Sequence, residues 1–357
     1  MASLLPLNGG WQRNLNLRRL VYKIQERNYG ESPFLLHPRP QEDELLSSWL
    51  VRVALEHFTA PATFTNLYLP EWKNMLWAED LDLQADSHLL EVLAAKSSLS
   101  TEKLLAMTLR GYEGFLFEQA STNSGATPYI LPLRVRGRHS NFPGLRFCPL
   151  CLSEDNSPYF RRKWRLSFSS ACTRHVCFLL DRCQQCGKPF TIYRLHSKAA
   201  FPSCSYCGFK LSDCQIEPIT TISYGLSAIE QIYDILDAGT VNLGGADVYS
   251  FSFFKVIHQL SKVVYFWERT EGLLCHEAIV DSINDLDWAP KAKTLATIPL
   301  KDHYFLFSGL MHLMDNYPKN LITYCSNNRL GKTELTKDMQ TLPSWYAEIV
   351  DWFTHSF

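Results

Sequence analysis

The chain reads as a mainly α-helical protein whose middle is given over to small ribbon-type modules rich in cysteine. Three observations predict this. Apolar residues recur at helical spacing in both outer parts of the chain, nine of the eleven cysteines fall within residues 146–214, and polar segments containing Gly and Pro separate these blocks. With 357 residues, 46% hydrophobic and 20% charged, the chain is long enough for two or three packed units and too apolar for extended disorder.

Taken in order, residues 1–37 form a polar arm containing Arg13, Arg18 and Arg19, which ends at the Pro38 and Pro40 punctuation. Residues 38–118 read as a helical domain. Its first helix opens on Glu42, Asp43 and Glu44, where carboxylates favour the helix dipole, and carries the stripe Leu45, Leu46, Trp49, Leu50, Val53, Ala54. Pro61 and Pro70 bracket a short helix around Phe64–Tyr68. Two further helices are expected over about Asp86–Lys96 and Thr101–Arg110, joined by Ser97-Ser98-Leu99-Ser100, with Ser100 as the cap of the second. Two short helices on a tight connection have the shape of a helix-turn-helix, and equally that of an antiparallel pair inside a bundle. No row of arginine or asparagine marks the second helix as a groove reader.

Residues 119–145 are polar and partly basic and read as a linker. Residues 215–357 return to helical periodicity as a C-terminal helical domain. Leu226, Ile229, Tyr233 and Leu236 share one face, and Phe253, Ile257, Leu260, Val264 and Trp267 another, with Gly244-Gly245 between the two helices. Further helices are expected over about 302–316 and 344–355.

The cysteine-rich block, 146–214, holds four ligand pairs: Cys148-x-x-Cys151, Cys172-x-x-His175, Cys183-x-x-Cys186 and Cys204-x-x-Cys207. Two intervening residues let one tight turn aim both side chains at a single ion, and two such turns about 15–20 residues apart close a tetrahedral zinc site. Gly187 and Gly208 follow the last two pairs directly, where the turn demands positive φ. Cys and His ligands filling all four positions leave none open for substrate, so the expected role of two Zn²⁺ ions is structural. Sequential pairing gives Cys148, Cys151, Cys172 and His175 as one site, and Cys183, Cys186, Cys204 and Cys207 as the other. A RING-type cross-brace would interleave them, but the seven residues between His175 and Cys183 are too many for that spacing. Cys177 is an alternative fourth ligand at the first site, Cys214 is a spare, and Cys275 and Cys325 are expected in the core.

Between the first two pairs runs Ser157-Pro158-Tyr159-Phe160-Arg161-Arg162-Lys163-Trp164-Arg165. Cations interleaved with aromatics suit phosphate or an acidic partner, which nominates Arg161, Arg162, Lys163 and Arg165 as contact residues. The alternative is a segment whose Phe160 and Trp164 pack inward. A net charge of −1 and a pI near 6.8 speak against a chain that grips duplex DNA unaided. Gly331-Lys332-Thr333 resembles the end of a phosphate-binding loop, but Ser326 stands where the motif needs glycine. No nucleophile elbow, H-E-x-x-H or dinucleotide fingerprint is present, and no catalytic residue is assigned. The first residues lack a charged-then-apolar leader and the longest apolar runs fall short of a bilayer, so a cytoplasmic, membrane-free location is expected.

Two stretches resemble a known family. Glu44-Leu45-Leu46-Ser47-Ser48-Trp49-Leu50-Val51-Arg52-Val53-Ala54 resembles the opening motif of the TniQ/TnsD transposition proteins, and Met107-Thr108-Leu109 the close of their helical part. Phe147-Cys148-Pro149-Leu150-Cys151-Leu152, Pro158 to Leu166 and Cys172-x-x-His175 resemble the central signature, which the pairs from Cys183 to Cys207 complete. The resemblance covers about residues 38–214. It implies a non-catalytic target-selection adaptor in DNA transposition, in a prokaryotic cytoplasm and on the nucleoid when bound to DNA. Such proteins link a target to an AAA-type ATPase that recruits the transposase; the target is recognised directly or through an RNA-guided CRISPR Cascade complex with its guide RNA. A homodimer is the leading oligomer. Direct sequence-specific binding to an attachment site and a RING-like ubiquitin ligase are the alternatives.

Overall fold

A computed structural model describes residues 29–120, 127–133, 144–219, 224–271 and 295–354. The arm with Arg13, Arg18 and Arg19, most of the 119–145 linker and Cys275 lie outside them. The described residues are mainly helical, with two small two-stranded sheets.

The amino-terminal helices are α1 (Leu46–Glu56), α2 (Pro61–Tyr68), the single turn α3 (Leu81–Gln84), α4 (Ser87–Ser97) and α5 (Thr101–Ala106). Phe34, Leu46, Trp49, Leu50, Val53, Phe64, Leu93 and Leu104 pack in their core. Helix α4 is capped by the Asp86 carboxylate on the Leu89 amide, and α5 by Ser100 on the Lys103 amide. Ser98, at φ 58, turns the chain between them. The helix expected to reach Arg110 stops at Ala106. The Thr108 hydroxyl bonds back to the Leu105 carbonyl, and the Met107 carbonyl is taken by the Leu46 amide, so the chain continues as a 3₁₀ turn over Leu109–Tyr112.

Helix α1 is buried on every side from Leu46 to Ala54. An apolar stripe accounts for only part of that. Leu46, Trp49, Leu50 and Val53 face the amino-terminal core, whereas Leu45 and Val51 belong to a second, larger core. That larger core runs on through the cysteine-rich block, by way of Phe147, Phe160, Leu166 and Phe168, into the carboxy-terminal helices.

These last are α7 (Tyr224–Ala238), α8 (Ser250–Glu271), α9 (Leu300–Met314), α10 (Lys319–Asn327), α11 (Lys332–Thr336) and α12 (Ser344–Thr354), with α6 (Pro149–Glu154) lying earlier, in the cysteine-rich block. Between α7 and α8 the structure adds an antiparallel hairpin, β3 (Thr240–Leu243) with β4 (Ala246–Tyr249). Its two-residue turn is Gly244-Gly245, both at positive φ (59° and 92°), the backbone that matches the twist of paired strands. The Gly331-Lys332-Thr333 segment starts α11, and the Gly331 amide donates to Glu334 as a cap. Cys325 is fully buried.

Polar clasps hold the carboxy-terminal helices to the block before them. The buried Arg146 guanidinium donates through Nη1 to the carbonyls of Ser167 and Ser169, both at 2.9 Å, and through Nη2 to His303 Nδ1 on α9 at 2.9 Å. Burial, and then the Arg146 charge, hold His303 neutral, which leaves Nδ1 free to accept. Tyr233 on α7 donates to Ser169 Oγ at 2.7 Å, and Tyr129 to the Phe254 carbonyl on α8. No helix of the described residues is long and apolar enough to cross a membrane.

Candidate metal centre

Two four-residue clusters form, each from neighbouring pairs in sequence: Cys148, Cys151, Cys172 and His175, and Cys183, Cys186, Cys204 and Cys207. Within each cluster the four ligand atoms lie within 4.8 Å of one another. The interleaved alternative would bring Cys148 and Cys151 to Cys183 and Cys186, which is not the observed grouping. A RING-type cross-brace is therefore absent from the described residues.

The two clusters are built differently. In the first, Pro149 sits at the first position of α6, where its missing N–H costs nothing, and Cys148 stands just ahead of the helix. Cys151 then lies on the first turn, beside Cys148. The other pair comes from a two-strand hairpin, β1 (Ala171–Cys172) against β2 (Cys177–Phe178), with Val176 at φ 49 closing its turn. The second cluster consists of two matching knuckles. The Gly187 amide returns to the Cys183 carbonyl and the Gly208 amide to the Cys204 carbonyl, each at 2.8 Å, with both glycines at positive φ. The ribbon form expected for both sites thus describes the second.

The spacing within the clusters fits a tetrahedral ion. Zinc bonds of about 2.3 Å to sulfur and about 2.0 Å to nitrogen place sulfurs about 3.8 Å apart, and sulfur about 3.5 Å from nitrogen. Cys151 and Cys172 sulfurs lie 3.7 Å apart, and His175 Nδ1 lies 3.3, 3.3 and 3.4 Å from the sulfurs of Cys148, Cys151 and Cys172. In the second cluster the Cys183–Cys207 and Cys186–Cys204 sulfurs are 3.6 and 3.7 Å apart. Such distances exclude disulfides, whose sulfurs approach to about 2.05 Å.

The electrostatics agree. Thiols crowded this closely cannot all ionise on their own. Hydrogen bonds from Cys151, Cys172 and Cys177 drive the Cys148 thiol far down, and the same contact with Cys148 drives Cys151 up and Cys172 to about 11. A dication among them removes the conflict, because every thiolate then faces a positive charge.

Cys177 is buried with its sulfur 3.9 Å from that of Cys148, yet it stands outside the foursome, in which His175 is the fourth member. Cys214 is also buried and belongs to neither cluster. The first cluster is enclosed, whereas the second carries an exposed Cys207.

Sequence reasoning missed the groups that orient His175. Its Nε2 lies 3.1 Å from Glu154 Oε2, and Arg174 Nη2 holds that same oxygen at 2.6 Å. A carboxylate on the far ring nitrogen fixes the tautomer that leaves Nδ1 free for a metal. The signal was the i, i+3 relation of Cys151 and Glu154 on α6. Glu154→Ala is accordingly expected to weaken metal binding at the first cluster by about 10–100-fold and leave the second unchanged. Competition with a chromophoric chelator resolves the two equivalents, and unaltered affinity at both would show that Glu154 does not set the ring.

Of the four nominated contact cations, Arg165 requires correction, and the other three are engaged within the chain. Arg165 is wholly buried and out of reach of any ligand. It grips Asp80 with both guanidinium nitrogens, at 2.5 and 3.2 Å, lies 3.5 Å from Asp82, and donates to the Leu131 carbonyl. Arg161 pairs with Asp155 through two bonds and lies over the rings of Tyr159 and Trp164. Arg162 binds Asp43 and covers Tyr112, while Lys163 pairs with Asp237 on α7 and sits over Tyr233. Each faces a carboxylate of this chain, so the run ties together the amino-terminal helices, the cysteine-rich block and, through the surface pair Lys163–Asp237, α7.

The opening motif completes the joint. Glu44 accepts from Arg52 at 2.6 Å, from Ser48 and from the Gln41 amide, all buried or nearly so. Ser48 also takes the Phe160 amide, the Leu45 amide bonds the Phe160 carbonyl, and Ser47 holds Asp82 through its amide and hydroxyl. Trp49 donates to the Pro38 carbonyl. The polar letters of the motif are therefore the attachment of α1 to the segment 158–166.

Compared with known families, residues 35–179 match the TniQ family model, a span that holds both this joint and the first cluster. No curated protein matches the chain.

Proposed function

We propose, on the strength of the TniQ match over residues 35–179, that the chain is a non-catalytic target-selection adaptor in DNA transposition. In this reading it links a recognised target, through an RNA-guided Cascade complex, to an AAA-type ATPase that recruits the transposase, and it acts as a homodimer in the prokaryotic cytoplasm. The observation that carries the reading is the family match, which spans the interlocked motif helix and first cluster. The chemistry of the clusters supports it. Four protein ligands fill a tetrahedral ion, so zinc held by Cys148, Cys151, Cys172 and His175, or by Cys183, Cys186, Cys204 and Cys207, would act as a rigid staple with no position for substrate.

The test is co-purification of the tagged chain with the Cascade subunits and ATPase of its own cell, with and without guide RNA. Recovery of both partners, with guide-dependent insertion of a donor DNA that is lost when the chain is omitted, is expected. Guide-independent insertion at one fixed site, bound by the isolated chain, would replace this reading with direct attachment-site recognition.

A further inference from the structure

The two clusters differ in what can reach their sulfurs. At the first, Cys148, Cys151 and Cys172 are all buried, the most open of them 7% exposed. At the second, Cys183 and Cys204 are buried, Cys186 is half-buried and Cys207 is exposed. The flanks of Cys207 are open as well. Tyr206 before it is half exposed, and a Cβ added at Gly208 after it would meet nothing within 4 Å. Among the ligand sulfurs of both clusters, Cys207 is the one that a small polar solute meets first.

A metal-bound cysteine is a thiolate, and the thiolate is the form that reacts with peroxides, so exposure decides which ligand is oxidised. On the other knuckle, Cys183 Sγ lies 3.6 Å from Cys207 Sγ. The chemistry that joins them balances. The Cys207 thiolate attacks one oxygen of hydrogen peroxide, the O–O bond breaks, and a sulfenic acid forms as hydroxide leaves. The Cys183 thiolate then attacks that sulfur, and a second hydroxide departs as the disulfide closes. Two electrons pass from sulfur to peroxide, and both hydroxides take protons from solvent to become water. Cys186 and Cys204 alone remain as donors, too few to hold the ion. The buried sulfurs of the first cluster are shut off from the same attack.

We propose that Cys207 is an oxidation site, with Cys183 as its resolving partner, through which peroxide releases the metal of the second cluster and leaves that of the first in place. The inference rests on metal at the second cluster and not on the adaptor role. Between the two knuckles the chain carries the 3₁₀ turn Ile192–Arg194, which packs on α1 and α2 with Tyr193 stacked on Trp77 at 5.3 Å. Oxidation therefore acts on the module that meets the amino-terminal helices there.

The zinc-loaded full chain, treated with hydrogen peroxide in the presence of a chromophoric chelator, tests this. One of the two equivalents should be released at least about tenfold faster than the other, and at least about tenfold faster than the chelator alone removes it. Peptide mapping without reduction should find Cys183 joined to Cys207, with Cys148, Cys151 and Cys172 unmodified. Dithiothreitol and added zinc should then restore the lost equivalent. Cys207→His keeps a donor where the exposed thiolate stood, and its second equivalent should resist peroxide as the first does. The proposal is overturned if both equivalents leave together, if the chelator strips the second as fast without peroxide, or if the disulfide formed excludes Cys207. It is equally overturned if Cys207→His holds two equivalents and releases one at the wild-type rate. Should that variant hold only one, the mapping of the wild-type chain decides in its place. A wild-type chain with fewer than two equivalents fails earlier, at the ligand assignment, and ends the proposal with it.

Discussion

Exchange of Cys151 for serine is expected to remove one metal equivalent and to destabilise the entire chain, whereas exchange of Cys207 removes the other and loosens only its own module. The difference follows from where the clusters sit. Cys151 is 4% exposed and belongs to the larger core with Phe147, Leu152, Phe160 and Trp164, and its cluster fastens α6 to the hairpin 171–178. Where ligands converge only in the folded chain, metal-binding free energy is folding free energy. Losing it at the first site should cost at least about 5 kcal/mol, a large share of ordinary domain stability. Cys207 is exposed at the tip of a knuckle, and although Cys183 and Cys204 of its cluster lie in the same larger core, the turn its loss frees faces solvent. Native mass spectrometry counts the metal and urea denaturation reads the stability. Two retained equivalents in both variants, or a Cys151→Ser chain as resistant to urea as wild type, would refute the ligand assignment.

What the sequence could and could not disclose divides by distance along the chain. The ligand pairs were legible because a two-residue turn is local, and so were Gly187, Gly208 and the cap at Ser100. The hairpin 240–249 carried a readable signal as well: two glycines between short strands, the second alternating Val248 inward with Asp247 and Tyr249 outward. Taking the glycines only as a break between helices passed over it. The partners of residues 161–165 left no such trace. Arg162 finds Asp43 119 positions away and Arg165 finds Asp80 at 85, separations at which no pattern in the chain reports a contact. A basic and aromatic run looks the same in sequence whether its charges meet phosphate or buried aspartate. Likewise the apolar stripe of α1 does not disclose that Ser47, Ser48 and Arg52 are buried too, because a stripe reports one core per helix and this helix lies between two.

Arg165→Met tests whether that buried joint is energetically real, and its deficit should depend on pH. The wild-type guanidinium, fully buried, faces Asp80 and Asp82, which are themselves 11% and 1% exposed. Removing one partner from a buried ionic group strands the others, at a cost of about 3–5 kcal/mol. Already in the wild type the Asp82 carboxyl is pushed up to about 6, first by burial and then by Asp80, against the pull of Arg165 and Ser47. Without Arg165 it must rise further. A carboxyl whose folded pKa exceeds its unfolded value binds more protons folded than unfolded, so stability falls as pH rises through the folded pKa. The Arg165→Met deficit should therefore be largest near about pH 8 and shrink toward about pH 6, where Asp82 can take up its proton. Adding Asp80→Asn and Asp82→Asn removes the stranded charges and should restore much of the loss at about pH 8 while flattening the pH dependence. Urea denaturation of the single and triple variants at both pH values reads each quantity. A single variant within about 1 kcal/mol of wild type at the higher pH would mean that the clamp only accompanies the packing of Trp49, Phe160 and Trp164, and does not hold the two cores together.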